Sequence, residues 1–260
     1  MATAILFGLG LAIGALGTLI GAGGGWMIVP MLLFGYGFAP QQAVGTSLAV
    51  VFLNALSGSI AYMAQRRVLY TMGVAFAVST IPGALLGAWL VQYLNLEWFS
   101  ILFGMFLLFV AAFLLRGQQL FFRRRSASTV TEAELNSLRS PVMRLGMLIS
   151  LLVGLLSSVF GVGGGIVHVP FLIVVLGVPV HAATATSHFV LAITSLTGCL
   201  TFLSQGQVDL SVAASMGAGV LIGAQGGAVL SRRMRSEPIR RILAVALAIF
   251  AARLILRILF

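Results

Sequence analysis

Six stretches of this chain, 43–64, 71–94, 98–115, 182–204, 210–230 and 242–260, are apolar almost throughout and about as long as a bilayer is thick. A helix needs roughly 20 apolar residues to cross the hydrocarbon, so each stretch is long enough to span. Composition leaves no water-facing surface to build: 60% of residues are apolar and 8% are charged, whereas a soluble domain carries about 25% charged residues. Mean hydropathy is +1.12. The chain is expected to be an all-α polytopic membrane protein, multi-pass in the cell (inner) membrane.

The formal net charge of +10 does not point to nucleic acid. All fifteen basic residues are arginine, set in short clusters between apolar stretches, which is the signature of the positive-inside bias. Cys199 is the only cysteine and lies in an apolar stretch. It permits no intrachain disulfide and no cysteine-based metal site, and no cofactor is expected. The opening MATAILFGLGLAIGALG resembles a signal peptide but lacks the positive n-region of one. It also belongs to a repeat, so it reads as retained structure.

Shifted by 140 positions, the sequence matches itself without a gap over about 70 residues. The run from Gly21 to Pro30 (GAGGGWMIVP) meets the run from Gly161 to Pro170 (GVGGGIVHVP). Thr46-Ser47 meets Thr186-Ser187, Gly58 meets Gly198, Gln65 meets Gln205, Val68 meets Val208, and Gly83 and Gly87 meet Gly223 and Gly227. The expected organisation is a first membrane repeat over 1–116, a cytoplasmic linker over 117–142 and a second repeat over 143–260. Within the linker, Thr131 to Glu134 fits a capping box that would start a surface helix.

Arginine placement predicts opposite orientations for the two copies. Arg66-Arg67 aligns with uncharged Gly206-Gln207, while uncharged 93–95 aligns with the cluster Arg232, Arg233 and Arg235. If the first element of each copy re-enters or crosses twice, inversion places thirteen arginines inside, leaving Arg253 and Arg257 outside. That first element, 4–37 and 144–178, is apolar but broken by Gly21–Gly25 and Gly161–Gly165, with Pro30 and Pro170 following. Each half is only about 25 Å long as a helix. The reading is two short helices joined by a glycine turn within the membrane, followed by three transmembrane helices per copy.

Gly/Pro-interrupted segments in both copies are a strong sequence pointer to a transporter's substrate site. Glycine leaves backbone N–H groups uncovered, and a half-helix starting at Gly24 or Gly164 would aim its positive dipole end at the turn. Gly23, Gly24, Gly25, Gly163, Gly164 and Gly165 are therefore candidate anion ligands. Isolated Gly83, Gly87, Gly223 and Gly227 read as helix-packing residues instead. Thr46, Ser47, Thr186 and Ser187 follow the turns closely and join the candidate set, with Asn54 and its counterpart Thr194 further along. His168 and His188 are the titratable residues within apolar stretches, and their counterparts are Ile28 and Leu48. An ionisable residue in the membrane is a functional candidate by default, and histidine admits protons as a coupling partner. The five acidic residues, Glu97, Glu132, Glu134, Asp209 and Glu237, sit at segment ends or in the linker, which leaves no acidic relay through the spans. An intramembrane enzyme would lack a carboxylate, a metal cluster and a nucleophile motif, so no enzymatic activity is expected.

The duplicated G-x-G-G-G-x-x-x-V-P, followed after about fifteen residues by A-x-x-T-S and in the second copy by Ala183 to His188 (ATATSH), resembles the sulfite exporter TauE/SafE family of membrane permeases. The likeness runs along nearly the whole chain. It implies a secondary transporter moving a small anion, sulfite or a related sulfur oxyanion or organosulfonate, most simply outward. Proton-coupled uptake of such an anion is the alternative. The resemblance leaves oligomeric state open.

Overall fold

The computed structural model describes residues 2–124 and 140–232, with Val245 and Ile249. The last expected span (242–260), the capping box at Thr131–Glu134 and the arginines beyond Arg232 lie outside the described residues or are described only at those two positions. Among the described residues the structure is helical: α1 (Ala2–Ile20), α2 (Gly25–Gly35), α3 (Pro40–Ala64), α4 (Tyr70–Leu90), α5 (Leu96–Arg124), α6 (Pro141–Phe160), α7 (Gly165–Val174), α8 (Val180–Ser204) and α9 (Leu210–Leu230). A single 3₁₀ turn, Val91–Tyr93, follows α4. Seven of these helices are long and apolar enough to span a membrane, whereas α2 and α7 are too short. The glycine-broken elements are therefore unequal in their two parts, a helix of about 30 Å followed by one of about 16 Å at 1.5 Å per residue. Helix α5 runs to Arg124, beyond the expected start of the linker at 117.

Local chemistry sets these boundaries. Proline opens α3 and α6, where its missing N–H costs nothing. The Ser140 hydroxyl accepts from Met143 N at 3.1 Å, and Asp209 Oδ1 accepts from Val212 N at 2.9 Å, capping α6 and α9. Two further caps come from across the bundle. Thr46 Oγ1 accepts from Asp209 N at 2.9 Å and Thr186 Oγ1 from Leu69 N at 3.0 Å, at the starts of α9 and α4.

Helix directions follow from which residues meet. Cβ atoms built at Gly219, Gly223 and Gly227 of α9 would land on the backbone of Phe7 and Leu11, of Leu11 and Ala15, and of Ala15 in α1. Residue numbers rise together, so α1 and α9 run parallel at backbone contact. The same holds for α4 and α6, where Gly83 abuts Leu151 and Gly87 abuts Leu155. Between α3 and α8, Gly58 meets His188 while Gly198 meets Leu48, so this pair runs antiparallel. The Gly223 and Gly227 contacts with α1 mirror those of Gly83 and Gly87 with α6 at the 140-residue offset, and Gly58–His188 mirrors Gly198–Leu48.

Helices α1, α3 and α9 consequently start toward one side of the bundle, and α4, α6 and α8 toward the other. Each glycine-broken element begins and ends on the same side. Among arginines whose side chains are described, Arg66, Arg67, Arg144 and Arg232 all lie at the second side, while Glu97 and Asp209 lie at the first. The first side also carries Trp89, Tyr93 and Trp98, 56%, 68% and 59% exposed, as aromatic residues at a membrane interface do.

Candidate functional site

The glycine turns are built by left-handed backbone. Gly21, Gly23 and Gly24 have φ of 80°, 76° and 87°, and Gly161, Gly163 and Gly164 have 67°, 81° and 83°. Residues with a Cβ pay about 1–2 kcal/mol for that conformation, which accounts for three glycines within each four-residue turn. Each turn reverses the chain through carbonyls of the preceding helix: Ala22 N and Gly23 N donate to Gly17 O at 2.9 and 3.2 Å, and Val162 N donates to Ser157 O at 3.2 Å. Gly24 and Gly164 are the N-caps of α2 and α7, and neither supplies a side-chain cap.

The two turns meet at the centre of the bundle. A Cβ at Gly25 would strike Gly161 O, and one at Gly165 would strike Gly21 O. Val51 of α3 and Leu191 of α8, themselves counterparts, lie against both Gly23 and Gly163. The half-helices α2 and α7 thus bring two positive dipole ends together, alongside the C-terminal ends of α1 and α6.

Side chains then hold the turn carbonyls. Ser47 Oγ donates to Gly161 O at 2.8 Å, and its counterpart Ser187 Oγ makes longer contacts to Gly21 O (3.4 Å) and Gly165 O (3.5 Å). Asn54 Nδ2 donates to Gly23 O at 3.0 Å, and Asn54 Oδ1 accepts from Thr18 Oγ1 at 3.1 Å. His188 Nε2 lies 3.2 Å from the same Thr18 hydroxyl. A hydroxyl that donates to Asn54 must accept from the imidazole, so Nε2 carries the proton and Nδ1 is left as an acceptor without a hydrogen-bond partner. The Tyr62 ring stands edge-on to His188, with centroids 5.8 Å apart, and its hydroxyl donates to Thr18 O at 2.8 Å.

The structure therefore brings the six turn glycines, Ser47, Ser187, Asn54 and His188 into one central cluster. The remaining candidates lie elsewhere. The hydroxyls of Thr46 and Thr186 cap helix starts, for the physical reason that a buried loop N–H needs an acceptor. Thr194 Oγ1 bonds Val190 O at 3.0 Å and Thr80 Oγ1 at 2.7 Å. His168 pairs with Ser150 Oγ at 3.0 Å, and Phe76 stacks on it with centroids 6.2 Å apart. Sequence reasoning missed Thr18 and Tyr62, although Thr18, a hydroxyl three residues before the first glycine, was a readable signal. All these side chains are buried, so the cluster is closed to both sides.

The sequence profile of a permease family, described as "Sulfite exporter TauE/SafE", matches residues 6–254. The chain belongs to this family. Among similar proteins, "Probable membrane transporter protein YunE" of Bacillus subtilis is 31% identical, covering 98% of each chain. "Probable membrane transporter protein MJ0441" of Methanocaldococcus jannaschii is 24% identical over 97% of this chain and 95% of its own. A "Probable membrane transporter protein" of Xylella fastidiosa is 29% identical over 84% and 81%. No solved structure matches the chain. Membership of a transporter family agrees with the seven apolar helices: the protein is a multi-pass membrane transporter, and its central cluster belongs to a permease rather than an enzyme.

Proposed function

We propose that this TauE/SafE-family member carries a small sulfur oxyanion, sulfite or a related oxyanion or organosulfonate, out of the cell, and that the paired glycine turns are where the anion is held. The observation that carries the reading is the meeting of two left-handed glycine turns at the bundle centre, each starting a half-helix with no side-chain cap. Such N-termini bind anions through backbone N–H groups and the helix dipole, and no arginine lies among the residues of the cluster. Binding of that kind is weak enough to reverse, as transport requires. Outward movement of an anion is favoured by about 2.3 kcal/mol per charge for each 100 mV of inside-negative potential, so export needs no coupling ion.

We further propose that the two repeats, 1–116 and 143–260, are inverted, with the linker 117–142 in the cytoplasm. The antiparallel course of α3 and α8, the mirrored contacts and the four arginines on one side support this reading. Within it Ser47, Ser187 and Asn54 position the turns, Thr46, Thr186 and Thr194 brace the helices around them, and His188 is the side chain placed to sense the anion. The unpartnered Nδ1 of His188 also favours a second reading, proton-coupled uptake.

Flux of radiolabelled sulfite in proteoliposomes under an imposed potential tests the function. Saturable flux that reverses with the sign of the potential is expected, and a flux no faster than in empty liposomes overturns it. Should protons be coupled, affinity for an anion of constant charge rises as pH falls from about 8 to 5.5, where histidine titrates, and His188→Gln flattens that profile. An unchanged profile assigns His188 to structure.

A further inference from the structure

The two repeats match closely in backbone contacts, yet their buried polar groups are distributed unequally. On the way from the central turns to the arginine-bearing side, polar groups follow one another. Asn54 bonds Thr18, Thr18 bonds His188, and the Thr18 carbonyl accepts from Tyr62. Tyr62 shares a buried cluster with Ala228, whose carbonyl accepts from Ser231 Oγ at 3.0 Å. Arg67 Nη1 in turn donates to Ser231 Oγ at 3.3 Å and is partly exposed.

On the mirror-image route to the opposite side three of these positions turn apolar: His188 is replaced by Leu48, Tyr62 by Phe202 and Ser231 by Val91. Thr18, Asn54 and Arg67 meet Ser158, Thr194 and Gln207, which are polar but carry no titratable group. Leu48 and Phe202 are fully buried, as is Val91, and all three belong to one hydrophobic cluster. The second histidine repeats the bias: the His168–Ser150 pair stands where the other copy has Ile28 and Gly10. Burying a fully enclosed histidine and tyrosine in a membrane bundle costs free energy unless each polar atom is satisfied. Stability would be served as well by the apolar residues the other copy uses, so the polar line calls for a functional account.

We propose that Thr18, His188, Tyr62 and Ser231 line the half-pathway from the central turns to the arginine-bearing side, with Arg67 recruiting the anion at its mouth, and that Leu48 and Phe202 form the apolar barrier toward the opposite side. The inference rests on the transport reading and adds its direction of access: the closed site opens more readily toward the arginine-bearing side. An arginine at the mouth raises the local anion concentration. The hydroxyl line supplies donors that replace lost hydration, while the Leu48–Phe202 constriction excludes water and ions by dewetting.

The test uses the full-length chain in a Cys199→Ser background, reconstituted in liposomes of defined orientation, without substrate. Single cysteines at Tyr62 and at Leu48, the latter with Phe202 intact, are exposed to a membrane-impermeant methanethiosulfonate bearing a sulfonate group, added to one side at a time. Tyr62→Cys should be modified from the arginine-bearing side about tenfold or more faster than Leu48→Cys is modified from the opposite side, as expected of a hydrophobic constriction. Adding Phe202→Ala to the Leu48→Cys protein should open that cysteine to the opposite side. Comparable rates at the two positions, or faster labelling of Leu48→Cys, overturn the proposal. Labelling needs no sulfite, so a wrong substrate and a wrong pathway give different results. A complementary pair guards against misfolding. Tyr62→Phe should slow sulfite flux with the melting temperature held, and Arg67→Gln should raise KM without changing kcat and abolish its salt dependence. Unchanged flux and KM in both variants count against the polar line.

Discussion

At the scale of single residues, this protein separates glycines that allow packing from glycines that allow backbone. Gly83 has ordinary helical torsions but a Cβ there would sit on the Leu151 carbonyl, while nothing lies within 4 Å of a Cβ at Gly226. Gly83→Ala is therefore expected to destabilise by about 1–3 kcal/mol through overpacking. Gly226→Ala should be neutral or stabilise by up to about 1 kcal/mol through helix propensity. Thermal unfolding in detergent with both variants side by side checks the contrast, and equal effects would mean that α4 and α6 are not in backbone contact. Asn54 offers a polar counterpart. Asn54→Leu keeps volume but strips Gly23 O and the Thr18 hydroxyl of their partner, at a cost of about 1–3 kcal/mol. Because the loss falls on the turn itself, substrate affinity should drop in the same variant, measurable by equilibrium binding to the detergent-solubilised protein.

At the scale of elements, the glycine-broken pairs are the feature that makes the fold. Helices α1 and α6 are long enough to span, but their successors are not, and the chain returns to the side it came from. The joint depends on Gly24 and Gly164 in the left-handed region. Gly24→Ala should cost about 1–2 kcal/mol in backbone strain and weaken anion binding more than Gly87→Ala, whose added methyl meets Leu155 and Ser158 away from the turn. Binding and melting measured on both variants decide this: equal losses of affinity would make the turn a packing device. The cross-bundle caps extend the point, since Thr46 holds the start of α9 and Thr186 the start of α4. Each copy thereby fixes helix ends of the other, and neither half is expected to fold on its own.

At the scale of the whole molecule, orientation is the quantity to measure. Single cysteines replacing Gln207 and Arg66, in a Cys199-free background, should be labelled by an impermeant maleimide from opposite sides of the cell membrane. Gln207→Cys should react from outside and Arg66→Cys only after permeabilisation. Labelling of both from one side would contradict the antiparallel course of α3 and α8, and the reverse pattern would place the arginines outside. Much of this was legible in the sequence. Apolar length marked α3, α4, α5, α8 and α9 but not α1 and α6, which read as short halves of a broken element and are long enough to span. The 140-residue offset paired the copies and triple glycines marked the turns, because each rests on a local property: hydrophobicity along one segment, or a torsion only glycine adopts cheaply. Arginine spacing is the sequence feature behind the proposal of opposed copies, since charge bias is read one loop at a time.

Tertiary structure decided what lies across the bundle. A hydroxyl in a helix can cap a distant helix start, hold a turn carbonyl or bond its own backbone, and sequence alone does not choose among these. Thr46 and Ser47 are neighbours in the chain, yet one bonds Asp209 N and the other Gly161 O, because successive residues on a helix point about 100° apart and meet different partners. Thr18 and Tyr62 drew no attention as isolated residues and became central only when α1 and α3 enclosed them with His188. The sequence by itself determined that the segments are apolar helices, where glycine breaks them and how the two copies pair, while the full spanning length of α1 and α6 and the run of α5 to Arg124 came from the structure. Which polar groups share the centre, and the unequal character of the two routes leading from it, depended on contacts between residues 31 to 170 positions apart.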